Sequence, residues 1–164
     1  PTRRSSDLFT LTHDGTSNFI VWLLDSTGSN VALLANEIGL FTGSTAEGID
    51  TDGSYLMNID ADGNWSIEIQ QPRPITVPVV STFSGDGTQV SEIFLLSAGL
   101  KVVTLTHTGA SNFIVRLLDE DGNYVGFLAN EIGSYSGSTA VQVGSTGKHI
   151  LTIDADGHWT ITFD

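Results

Sequence analysis

Residues 106–133, THTGASNFIVRLLDEDGNYVGFLANEIG, repeat residues 12–39, THDGTSNFIVWLLDSTGSNVALLANEIG, at an offset of 94 residues. Further on, TIDADGHWTITF at 152–163 repeats NIDADGNWSIEI at 58–69 with the same offset. The whole comparison, 104–163 against 10–69, needs no gap, and 33 of its 60 positions are identical. A fixed period means two copies of one unit. The period is far longer than a solenoid repeat, so each copy is read as a domain.

The pattern inside each copy is alternation. Phe113, Val115 and Leu117 fall on one face, and Ile114, Arg116 and Leu118 on the other. Period two over six residues is the signal of a strand. Val103, Leu105 and His107 form a second such face, Leu151 and Ile153 a third, and Trp159, Ile161 and Phe163 a fourth. Residues 33–38, LLANEI, are the one run compatible with either a helix or a strand; Gly39 and the strand-like neighbours favour a strand. Nothing sustains helical spacing. Asp-Gly pairs stand at 14–15, 52–53, 62–63, 86–87, 121–122 and 156–157. Between alternating runs this dipeptide predicts type I′ hairpin turns. The expectation is an all-β chain of two tandem antiparallel β-sandwiches, jelly-roll or Ig-like.

The boundary is marked by proline. Pro72, Pro74 and Pro78 lie in QQPRPITVP, and proline is excluded from central strands and stiffens linkers. The first repeat is therefore read as 9–70, the linker as 71–78 and the second repeat as 79–164. Residues 1–8, PTRRSSDL, resemble a translated sequencing-library adapter and are read as a non-native leader, which makes the chain a metagenomic fragment. The segment VVSTFSGDGTQVSEIFLLSAG at 79–99 precedes the second copy and nothing comparable precedes the first. The first repeat is expected to be truncated and to lack its opening strands.

Composition narrows the partners. The net charge is −13 with six Lys and Arg residues, so nucleic acid and anionic membrane lack the basic footprint they need. No apolar run approaches the roughly 18 residues of a membrane helix. There is no cysteine, hence no disulfide framework. Eighteen glycines, few charges and much Thr, Ser, Asn and Asp suit an extracellular or cell-surface β-protein.

In an up-and-down antiparallel chain, alternate turns share one end. That end gathers His107, Asn112, Asn130, Glu131, Asp154 and Asp156 in the second copy, and His13, Asn18, Asn36, Glu37, Asp60 and Asp62 in the first. Oxygen-rich side chains suit calcium, a hard cation with six to eight oxygen ligands. The candidate calcium ligands are Glu37, Asp60, Asp62, Glu131, Asp154 and Asp156. The alternative is that Asp62-Gly63 and Asp156-Gly157 are plain turns, with Asp60 and Asp154 as solvated flanks. No EF-hand pattern completes these loops. His13, Asn18, Trp22, Asn36, His107, Asn112 and Asn130 are the candidate ligand-binding residues. For the two histidines, a hydrogen-bonded place at the core edge stands beside catalysis or metal ligation. Trp65 and Trp159 follow Asp-Gly turns on the apolar face and are read as core anchors. Trp22 shares a face with Ile20 and Leu24 but is replaced by Arg116 in the other copy, so its face is expected to be partly exposed. An exposed Trp can stack on a sugar, or pack on a neighbouring domain. No Gly-x-Ser-x-Gly elbow, zinc-binding helix motif or phosphate loop is present, and no catalytic residue is assigned.

The order F-L-L-S-A-G, then T-H-x-G-x-S-N-F-x-V-x-L-L-D-x-x-G, then G-x-x-x-L-x-I-x-A-D-G-x-W resembles pre-peptidase C-terminal-like domains. The resemblance implies a non-catalytic accessory module of a secreted or surface protein of bacteria or archaea, and supplies no site residues. The reading is a non-catalytic extracellular accessory or adhesion module, repeated in tandem and stabilised by calcium. Its partners are a glycan or another surface protein, with further copies in the parent chain. The alternative is a carbohydrate-binding module of a secreted enzyme.

Overall fold

The computed structural model describes residues 6–49 and 51–164, which form an all-β, β-sandwich-like fold with no helix among them. Strands β1 (Asp7–His13), β2 (Asn18–Leu24), β3 (Asn30–Ile38), β4 (Phe41–Glu47), β5 (Leu56–Ala61) and β6 (Trp65–Gln70) build two three-stranded sheets, ordered β4-β1-β6 and β3-β2-β5. Three strands follow the prolines: β7 (Thr82–Asp86), β8 (Gln89–Val90) and β9 (Phe94–Leu96). Then come β10 (Gly99–His107), β11 (Asn112–Asp119), β12 (Tyr124–Ile132), β13 (Tyr135–Val143), β14 (Gly147–Ala155) and β15 (His158–Phe163). They form the sheets β13-β10-β15-β7 and β12-β11-β14-β8, with β9 also on β14. All pairings are antiparallel.

Alternation fixes the cores. Phe19, Val21 and Leu23 of β2 face Phe9 and Leu11 of β1, and Phe113, Val115 and Leu117 of β11 face Val103 and Leu105 of β10. The ambiguous run 33–38 lies in β3, where Leu34 and Ala35 are buried. Of the expected leader, residues 1–5 lie outside the described residues, while Asp7 and Leu8 open β1, paired with Glu47 and Ala46.

A third apolar cluster joins the two sets of strands. Ala46 of β4, with Leu8, packs on Leu118 and Ile150, flanked by Val90 and Ile93. Backbone bonds reinforce this joint: the Ser6 amide donates to Glu120 O at 3.0 Å and the Ser44 amide to Thr88 O at 3.2 Å. The Arg116 guanidinium sits 3.4 Å from Glu47. A Cβ at Gly48 would meet the carbonyls of Asp121 and Gly122, so only glycine lets the two backbones approach here. The joint is also why β14 is buried on both faces from His149 to Ile153, which its alternating sequence does not announce.

Two expectations are corrected. Trp159 is a core anchor, 2% exposed, but Trp65 is 49% exposed. The indole of Trp159 lies under β7, its Nε1 donating to Gly87 O at 2.9 Å; no strand pairs with β6 on that side among the described residues. The Asp-Gly turns are not type I′, because no described residue other than glycine has positive φ. In the 119–123 turn the carboxylate that organises the backbone stands two residues before the Asp-Gly pair: Asp119 Oδ1 accepts the amides of Asp121 and Asn123 at 3.0 and 2.9 Å. This is an Asx-type turn, which leaves Asp119 itself in ordinary extended backbone.

Candidate functional site

The first, third and fifth turns of each copy meet at one end and are locked by the same three residues. His13 closes β1, and its ring stacks on Phe19 with centroids 4.7 Å apart at 7°. Its Nδ1 donates to Gly39 O, 2.8 Å away in the β3–β4 turn; a carbonyl only accepts, which fixes the proton on Nδ1. Nε2 stands 3.3 Å from Asp62 Oδ1 in the β5–β6 turn, an ion pair when the ring carries its second proton. The contact is not an aligned hydrogen bond. Asp62 in turn accepts the amides of Thr16 and Ser17, each at 3.1 Å. His107 repeats every part: it stacks on Phe113 at 4.6 Å and 8°, bonds Gly133 O at 2.8 Å and stands 3.3 Å from Asp156. Asp156 accepts the amides of Ala110 and Ser111 at 2.9 and 3.0 Å.

Electrostatics follow from these bonds. The Thr16 and Ser17 amides hold the Asp62 carboxyl below its ordinary 3.8, and the Ala110 and Ser111 amides do the same for Asp156. Gly15 and Gly109 lie against the histidine rings, where a Cβ would collide with Nε2 and with the partner aspartate. Both histidines are buried: Nδ1 is bonded within this clasp, and Nε2 stands against the aspartate without an aligned hydrogen bond.

A groove of about 960 Å³ opens beside the joint, walled by β3 and β4 on one side and by β11, β12 and β14 on the other. It collects Asn36, Glu37, Asn112, Asn130, Asp154 and Asp156 of the expected site residues. Burial, then the nearby charge of Asp154, pushes the Glu37 carboxyl above its ordinary 4.5. The floor holds Arg116, whose Nε donates to Thr152 Oγ1 at 3.0 Å, and the walls carry the exposed Leu33 and Phe127. Glu47, paired with Arg116, is also raised, because burial outweighs its attraction to the guanidinium.

The remaining expected residues lie elsewhere. Asn18, Asp60 and Glu131 are exposed at strand positions opposite Ile38, Ile20 and Phe113. Trp22 is half-buried on the outer face of β2, opposite Leu33 and Asn58. Among the described residues no three His, Cys, Asp or Glu side chains come together as a metal site would require. Sequence reasoning missed the partners of the clasp: Phe19, Gly15 and the Gly39 carbonyl. The signal was present, because His, the glycine two residues on and the aspartate 49 residues on recur together in both copies. No known protein family matches the chain, and no characterised protein matches it.

Proposed function

We propose that the chain is a tandem pair of β-sandwich modules forming a non-catalytic accessory or adhesion part of an extracellular or cell-surface protein. The observation that carries the reading is the duplicated clasp. The groups that most invite a catalytic assignment, His13 with Asp62 and His107 with Asp156, are committed in both copies to holding three turns together. What the repeat keeps alike is architecture. The resemblance to pre-peptidase C-terminal-like domains points the same way. The test is an assay of the whole chain on peptide, ester and glycoside substrates. The reading expects no turnover, and a turnover abolished by His107→Ala contradicts it.

Calcium enters this reading where Glu37 and Asp154 approach across the groove, since a cation there relieves their repulsion. Millimolar calcium, against matched sodium chloride, is expected to raise the Tm of the native chain and to do so less in Asp154→Asn. No shift removes calcium from the account.

A second reading, carbohydrate binding, is favoured by the groove. Amide side chains beside exposed apolar ones suit a neutral sugar, whose hydroxyls need paired donors and acceptors and whose ring faces are apolar. Calorimetric titration with soluble neutral oligosaccharides decides it. Heat of binding lost in Asn130→Ala and kept in Trp22→Ala places the sugar in the groove; the reverse places it on the β2 face.

A further inference from the structure

The joint between the two sets of strands is an interface whose halves both recur, unoccupied, elsewhere on the molecule. Its donor side is the cross-strand pair Leu8–Ala46, on the outer face of β1 and β4. Its acceptor side is the cross-strand pair Leu118–Ile150, on the outer face of β11 and β14. Ala46 is 0% and Ile150 1% exposed as a result.

The offset of 94 residues carries each pair onto a counterpart with the same register. Leu8–Ala46 becomes Val102–Ala140 on β10 and β13, and Leu118–Ile150 becomes Leu24–Leu56 on β2 and β5. Three of these counterparts are exposed and the fourth, Leu24, is half-buried. Val102 is 45% exposed with Leu100 beside it at 67%, Ala140 is exposed, and Leu56 is 54% exposed. One end of the molecule therefore presents a donor face without an acceptor, and the other an acceptor face without a donor.

We infer that a second copy of this chain docks head to tail, its Val102–Ala140 face on the Leu24–Leu56 face of the first. The inference rests on the tandem reading above. The contact is heterologous, so it leaves a free face at each end and continues into linear arrays. Trp22 adds apolar surface at the acceptor face that the internal joint, with Arg116 at that position, does not have. Two features weaken the copied contact. Gln142 stands where Gly48 meets the Gly122 turn, and the segment 88–90, whose Thr88 carbonyl accepts the Ser44 amide and whose Val90 amide donates to Ser44 Oγ, has no counterpart at the acceptor face among the described residues. The internal joint also works at the effective concentration of a tether, on the order of millimolar. Association between separate chains is accordingly expected in the range of about 10 μM to 1 mM. The charge of −13 opposes it, so added salt strengthens it by screening.

The test is sedimentation velocity of the whole chain and of two neutral variants at exposed positions, Leu56→Gln and Ala140→Gln, each checked for an unchanged circular dichroism spectrum. The native chain is expected to grow beyond 17.4 kDa with concentration and with salt. Each variant alone stays a monomer. An equimolar mixture of the two restores association but stops at a dimer, because the intact donor face of Leu56→Gln meets the intact acceptor face of Ala140→Gln. A native chain that stays monomeric to about 1 mM overturns the docking. So does association that both variants retain, or a mixture that stays monomeric. None of these results bears on the substrate assay and the sugar titration, which decide the functional reading separately.

Discussion

Trp65 and Trp159 occupy the same place in the repeat, follow the same Asp-Gly pair and begin equivalent strands, yet one is half exposed and the other sealed. The difference lies in what lies over them. Strand β7 pairs with β15, β8 and β9 pair with β14, and Phe83, Phe94 and Phe163 pack together beneath them. On the first copy the outer edges of β5 and β6 have no such partner among the described residues, and Ile69 is exposed where Phe163 is buried. Among the described residues the fully buried apolar cluster has seven residues in the first copy and eighteen in the second, so the first copy has the smaller sealed core. A sequence motif thus fixes where a side chain points, and the neighbouring segment decides whether that direction is interior.

The contrast can be broken in several ways. Trp159→Ala should cost about 3–5 kcal/mol, a typical loss for a buried aromatic, and Trp65→Ala no more than about half of that. Urea unfolding measures both; equal losses would mean that β7 is not the cover. Ala46→Asp buries a lone charge in the joint while touching neither larger core, and should cost about 3 kcal/mol. It should also split a single unfolding transition into two, with the first copy melting earlier. The clasps, being alike, should behave alike: His13→Ala and His107→Ala each lose a buried hydrogen bond and a stacked ring, about 2 kcal/mol. A gap of more than roughly 1 kcal/mol between them would show that the two clasps do not share one role.

The smallest effect is in pH. Asp62 and Asp156 have folded values below 3.8, so their contribution is present above that value and is lost as pH falls through the folded value. Glu37 and Glu47 have folded values above 4.5, so burial of their charged forms costs stability at neutral pH, and that cost is relieved as pH falls through the raised values. The Tm should therefore rise on mild acidification, above 4.5, and fall below 3.8. Glu37→Gln should flatten the rise, and Asp62→Asn with Asp156→Asn should blunt the fall.

Much of this was legible in the residues. Period-two runs such as 113–118 specify strands because a strand alternates its faces, and the gap-free repeat specifies that the two copies share a register. The meeting of alternate turns follows from antiparallel order. Other features were hidden because they depend on long-range neighbours. The double-sided burial of β14 comes from Ala46, 104 residues earlier. NWSIEI and HWTITF carry the same pattern, and only β7 separates their fates. The Asp-Gly pairs suggested a backbone conformation, but Asp14, Asp62 and Asp156 spend their carboxylates on amides 45 to 50 residues away, which local sequence does not announce.

Native-state hydrogen exchange of the intact chain tests the central contrast most directly, comparing amides of Trp65–Gln70 with those of His158–Phe163. If the pairing of β7 with β15, which β6 does not match among the described residues, is the cover, amides of β6 should exchange roughly tenfold or more faster than their counterparts in β15. Equal protection along the two strands would contradict the account.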